Sequence, residues 1–112
     1  MSNVVMLRIV VRRGAQHHHH ALALDLVARA HKAGLAGATM VEVIAGFGAA
    51  HRTRISGRLA LSDSVAYQIL IVDTEDKIDR FLDQVRPEIA ERGLVTKEPV
   101  TVITGRIAPP EA

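Results

Sequence analysis

The chain repeats its own plan. The first half reads strand, helix, Gly34-Leu35, strand, and the second reads strand, helix, Gly93-Leu94, strand. Two such βαβ units in tandem give βαββαβ, the ferredoxin-like α+β sandwich with a four-stranded antiparallel sheet. Right-handed crossovers place both helices on one face of that sheet. The other face is then bare, yet its alternating residues remain largely apolar. A bare apolar face calls for a cover, and self-association through the sheet is the simplest one.

Local patterns place the elements. Residues 4–11 form a strand that is apolar on both faces except at Arg8, closed by Arg12, Arg13 and Gly14. A helix is expected from about residue 18 to residue 32, with Leu22, Leu26, Val27 and Ala30 at helical spacing and Gly34 as its C-cap. The second strand falls at 39–44 and the third at 65–72. Asp73 or Thr74 then caps a second helix, with Glu75 and Asp76 in its first turn, where the helix dipole favours acids. Ile78, Phe81, Leu82, Val85 and Ile89 give it a clean apolar stripe; Pro87 predicts a kink or break, and Gly93 a stop. The last strand is expected at 100–103. The whole reads as one domain over 1–107, followed by a tail at 108–112 with little reason to order.

Composition sets limits on function. Among 112 residues, 48% are hydrophobic and only three are aromatic, so the core must be aliphatic. Cysteine is absent, which excludes disulfides, thiolate metal sites and thiol nucleophiles together. No apolar run approaches the roughly 20 residues that cross a bilayer, and the N-terminus lacks a secretory pattern. The expectation is a soluble, cytoplasmic protein. Charge is uneven: residues 1–62 carry a formal +6 and residues 63–112 a formal −4. That polarity favours self-association, an anionic ligand or nucleic acid.

The candidate binding stretch is residues 38–64. It starts as an alternating strand, breaks at Gly46, Phe47 and Gly48, and turns basic through His51, Arg52, Arg54 and Arg58. No acid lies between Glu42 and Asp63 to neutralise it. Guanidinium forks suit phosphate or carboxylate, and the glycines either free the backbone for a ligand or make a bulge. Lys97 and Arg106 flank the expected last strand, where they would meet a phosphate across a subunit boundary or stand as ordinary surface charges. With two phenylalanines, and Tyr67 inside a strand, stacking platforms are scarce, so nucleic acid is the weaker use of these arginines.

His17, His18, His19 and His20 are the other conspicuous feature. If helical, His17 and His20 share a face, and two imidazoles suit zinc, copper or nickel, with His31 or His51 as a further ligand. His17, His18 and His20 are thus candidate metal ligands. The plainer reading is a solvated polar helix start. Ser56, Ser62 and Ser64 have no paired His and acid at informative spacing, and Asp73, Glu75, Asp76 and Asp79 read as a helix cap and solvated face. Catalysis is not expected.

Several segments resemble one known family. They are LRIVV at 7–11, GLAGATMVEVIAGFGA at 34–49, LALSDS at 59–64, ILIVDTEDKIDRFL at 69–82 and GLVTKEPVTVI at 93–103. Together they are similar to the PII-like proteins of domain-of-unknown-function family 190. The resemblance implies a ferredoxin-like subunit in a homotrimer, with small effectors, commonly adenine nucleotides, in the clefts between subunits. It also implies a mobile loop, here residues 48–62, that engages a partner protein through residues such as Phe47 and Arg58. A membrane transporter or channel is the partner class it points to. Carried onto this chain, Lys97 is the implied phosphate contact, Arg106 matches the basic residue after the last strand, and Gly46 and Gly48 lie at the base of the loop; with Arg52 and Arg54 of the basic stretch, these are the candidate ligand contacts. Two other classes share the architecture: divalent-metal-binding trimers resembling the CutA ion-tolerance proteins, and small enzymes such as oxygenases or isomerases.

Overall fold

The first strand, β1 (Val4–Arg12), shows the logic of the whole sheet. Val5, Leu7, Ile9 and Val11 are buried, while the alternate residues Val4, Met6, Arg8 and Val10 are only half-buried. One face is therefore covered and the other is not, as a period of two requires. The computed structural model describes residues 3–14, 16–17, 20–43, 45–46, 54–55 and 66–107.

Four strands make the main sheet: β1, β4 (Thr39–Val43), β7 (Ala66–Thr74) and β8 (Gly93–Pro99). Their spatial order is β4-β7-β1-β8, antiparallel throughout, with Leu7 opposite Ile71 on one side and Lys97 on the other. Numbered along the chain, these four run second, third, first, fourth. This is the ferredoxin-like order expected from the repeat. Two short ribbons stand apart from this sheet: β2 (Gln16–His17) with β3 (His20–Ala21), and β5 (Ala45–Gly46) with β6 (Arg54–Ile55).

Helices α1 (Leu22–Lys32) and α2 (Glu75–Ile89) close the covered face. Leu22, Ala23, Leu26 and Ala30 of α1 meet Ile78, Phe81, Val85 and Ile89 of α2 over Leu7, Ile9, Ile69 and Ile71, in an aliphatic core with one phenyl ring. Each such side chain removed from water contributes about 1.5–3 kcal/mol. Arg29 fastens the helices at the rim: its Nη1 lies 3.1 Å from Glu88 Oε1, and its Nη2 donates to the Gln84 carbonyl at 3.1 Å.

The end of α1 is a Schellman motif. Gly34 takes φ +80° just past the C-cap Ala33, its N–H donates to the His31 carbonyl, and the Leu35 N–H donates to the Ala30 carbonyl. Buried Leu35 and buried Ala30 are the apolar positions that accompany this motif.

Several boundaries differ from the sequence expectations, the third strand among them, which runs on to Thr74. Helix α1 begins at Leu22 rather than near residue 18, because the preceding residues pair as the β2–β3 ribbon. The fourth strand lies at Gly93–Pro99 rather than 100–103, because its register is set by β1, from Val11↔Gly93 to Val5↔Pro99. Gly93 therefore opens that strand; the helix has already ended at Ile89. Pro87 does not break α2, which continues two residues beyond it: so near the C-terminus, little of the hydrogen-bond ladder is left to lose. The tail at 108–112 lies outside the described residues.

Candidate functional site

Three places on this scaffold carry polar or charged groups with function in mind: the edge at β8, the base of the basic loop, and the uncovered sheet face.

At the β8 edge, register places Lys97 opposite Leu7, on the helix-covered side. Its ammonium reaches α2, with Nζ 2.9 Å from Asp79 Oδ1 and 3.0 Å from Glu75 Oε2. Glu75 and Asp79 are one helical turn apart, so both carboxylates face the same spot. Hydrogen bonds to Asp79 first and Glu75 second raise the Lys97 pKa above its ordinary value. The residue implied to meet an effector's phosphate is thus already held by two anions of its own chain. Arg106 lies in the exposed segment after β8, directly following Gly105, whose φ is +116°.

Two strands away, Asp73 at the end of β7 is fully buried. Its Oδ2 accepts the Ala36 N–H at 2.9 Å and its Oδ1 accepts the Thr74 N–H at 2.7 Å. The sequence allowed Asp73 a place as a helix cap. Thr74 holds the cap position, without a side-chain hydrogen bond, and Asp73 instead ties the α1–β4 connection to the start of α2.

The base of the basic loop is the β5–β6 ribbon, whose register puts Gly46 opposite Arg54. Two residues drawn from distant points of the basic stretch are thereby brought together. Phe47, Gly48, Arg52 and Arg58 lie outside the described residues. In the β2–β3 ribbon, register puts His17 opposite His20, so the two are cross-strand partners rather than neighbours on a helix; His18 lies outside the described residues. Among the described residues no group of three or more His, Cys, Asp or Glu forms a metal cluster. Nor is any helix there long and apolar enough to cross a membrane.

The uncovered face is largely apolar, with Gln68, Thr39, Thr74 and Thr96 among its neutral polar members. Val4, Met6 and Val10 of β1 are flanked by Leu70 and Val72 of β7, Val41 of β4 and Leu94 of β8. Leu94 is 64% exposed and Val41 41%. Arg8 interrupts this surface, with its Nη2 3.7 Å from Glu98 Oε1. In the sequence, an arginine inside an otherwise apolar strand was the visible signal; its carboxylate partner emerges only from the β1–β8 register.

The described residues thus form a ferredoxin-like sandwich with one bare sheet face. The chain belongs to the family DUF190, described as Uncharacterized ACR, COG1993, which matches residues 4–102. A UPF0166 protein of Aquifex aeolicus (strain VF5) is 38% identical over 78 residues, covering 70% of this chain and 72% of that protein. The fold is also that of CPII from Thiomonas intermedia K12, solved with ADP and bicarbonate, at a TM-score of 0.64 and 24% identity over 88% of this chain and 87% of that one. A further structure of CPII, a nitrogen regulatory PII-like protein, holds ADP, AMP and bicarbonate and gives a TM-score of 0.66 at 19% identity, with the same coverage. The divalent ion tolerance protein CutA1 of Ehrlichia chaffeensis shares the fold at a TM-score of 0.62 and 10% identity, over 93% of this chain and 87% of that one.

Proposed function

We propose that the chain is a PII-like regulatory subunit without catalysis of its own. Copies assemble as a homotrimer through the bare sheet face and bind a small anionic effector, an adenine nucleotide, in the clefts between subunits. Effector binding shifts the population of the 48–62 loop, and one loop state docks a partner protein, such as a membrane transporter or channel. The observation that carries this reading is the architecture shared with CPII, whose structures hold ADP, AMP and bicarbonate. The largely apolar uncovered face supports the assembly half of it, since extended exposed apolar patches mark interaction surfaces.

The test is a thermal-shift and equilibrium-dialysis series with ADP, AMP and bicarbonate, alongside light scattering for mass. A ligand at about 100 times its dissociation constant adds roughly 2.7 kcal/mol of stability. The reading expects ADP to stabilise the wild type and the Arg52→Ala/Arg54→Ala variant to lose that effect. A folded wild type that none of the three ligands stabilises overturns the effector assignment.

One observation favours a second reading. The His17↔His20 register places two imidazole-bearing positions opposite each other on a ribbon, which suits a divalent transition metal. Stoichiometric zinc binding that is lost in His17→Ala/His20→Ala, with no nucleotide effect, would select it.

A further inference from the structure

The uncovered face carries very few charges, and their placement is informative. Among the described sheet residues on that face, Glu98 is the only acid, and the bases are Arg8 in the middle of β1 and Arg12 at its end. Arg8 has Leu70 and Thr96 as its register partners. Glu98 stands opposite Met6, so it reaches Arg8 only diagonally, at 3.7 Å, with its side chain 54% exposed. A well-formed guanidinium–carboxylate contact is about 2.7–2.9 Å. The Arg8 Nε is buried and has no hydrogen-bond partner. Within one chain, then, this pair is long, solvated and incomplete, and little is lost by exchanging it.

Covering such a face with a purely apolar surface would strand both charges away from water, which costs several kcal/mol per ion. Covering it with another copy of the same face supplies one carboxylate for each Arg8 guanidinium. A closed ring of identical subunits then satisfies every Arg8 with a neighbour's Glu98 and leaves none over.

We propose that Arg8 and Glu98 are the polar key of self-assembly through this face. In the assembly, Arg8 of one protomer pairs with Glu98 of the next, and the pair selects copies of this chain over other apolar sheet faces. The inference rests on the reading that the chain assembles through its sheet.

The experiment is sedimentation equilibrium on the full chain, with circular dichroism as the check of fold. Arg8→Glu and Glu98→Arg are each expected to weaken association by at least about tenfold, and the double reversal to recover most of it. Should a reversal fail to fold, Arg8→Gln and Glu98→Gln test the same loss without a like-charge clash. A folded single variant that associates like the wild type overturns the proposal, as does a folded double reversal that stays weak. In those outcomes the wild type still assembles, and the trimer reading stands. A wild type that is monomeric at every concentration overturns both.

Discussion

The carboxylate of Asp73 accepts the N–H of Ala36 at 2.9 Å from a fully buried position, joining two segments 37 residues apart. With the Thr74 N–H on its other oxygen, this side chain fixes the connection that feeds β4, and so the strand from which the basic loop departs.

Removing that acceptor strands two backbone donors. Asp73→Ala is expected to destabilise the fold by about 1–3 kcal/mol, the desolvation cost of groups left unpaired in the interior. Asp73→Asn keeps one carbonyl acceptor and loses less. Urea unfolding of the three proteins gives the order directly; equal midpoints for Ala and wild type would show that the tie carries no stability.

Gly93 is held to glycine by a close approach. A Cβ there would sit 2.6 Å from the Val10 carbonyl oxygen and 3.0 Å from Val11 Cγ1, so β8 would have to move away from β1. Gly93→Ala is expected to cost about 1–3 kcal/mol. Gly37→Ala, where a Cβ meets nothing within 4 Å, is the control and should stay within about 0.5 kcal/mol of wild type. Thermal unfolding of the pair separates the two.

Much of this fold was legible in the sequence because the repeat of strand, helix and Gly-Leu is a local pattern, and local patterns survive without tertiary context. The stripe Ile78, Phe81, Val85 and Ile89 lies in the core as its spacing required. The errors have physical reasons. Residues 100–103, VTVI, have strong β propensity, whereas β8 carries Thr96, Lys97, Glu98 and Pro99 and is an edge strand, where charge and proline are normal. Edge pairing is decided by β1, not by the segment's own composition. The histidine run gave no local cue that it would pair across a ribbon instead of opening a helix. Likewise, nothing near Lys97 announced Glu75 and Asp79, which stand 22 and 18 residues earlier and meet it only because α2 packs beside β8.

Gly34 offers a purely backbone test. Its φ of +80° is one that L side chains rarely adopt, while the space around it is open. Gly34→Ala is therefore expected to cost about 1–2 kcal/mol from strain alone. Gly34→Asn should lose less, since asparagine visits that region more readily. Comparable losses in both variants would point to something other than backbone strain.

Lys97 yields the prediction nearest to function. Its pKa is raised by Asp79 and then Glu75, so its contribution to stability is full below the unfolded value, near 10.5, and is lost as pH rises through the higher folded value. Across the neutral range the contact is constant, and alkaline titration of Lys97 releases it. NMR titration of the Lys97 Nζ-linked methylene should show it shifting above the ordinary lysine value of 10.5. An anion meeting Lys97 at neutral pH must compete with those carboxylates. If the effector does use Lys97, Glu75→Gln/Asp79→Asn should tighten ADP binding by about tenfold, the worth of one charge-assisted hydrogen bond. Lys97→Met should weaken ADP binding in the wild-type background and erase the gain in the double variant. Binding that is indifferent to all three substitutions would take Lys97 out of the effector site and leave it as a brace between β8 and α2.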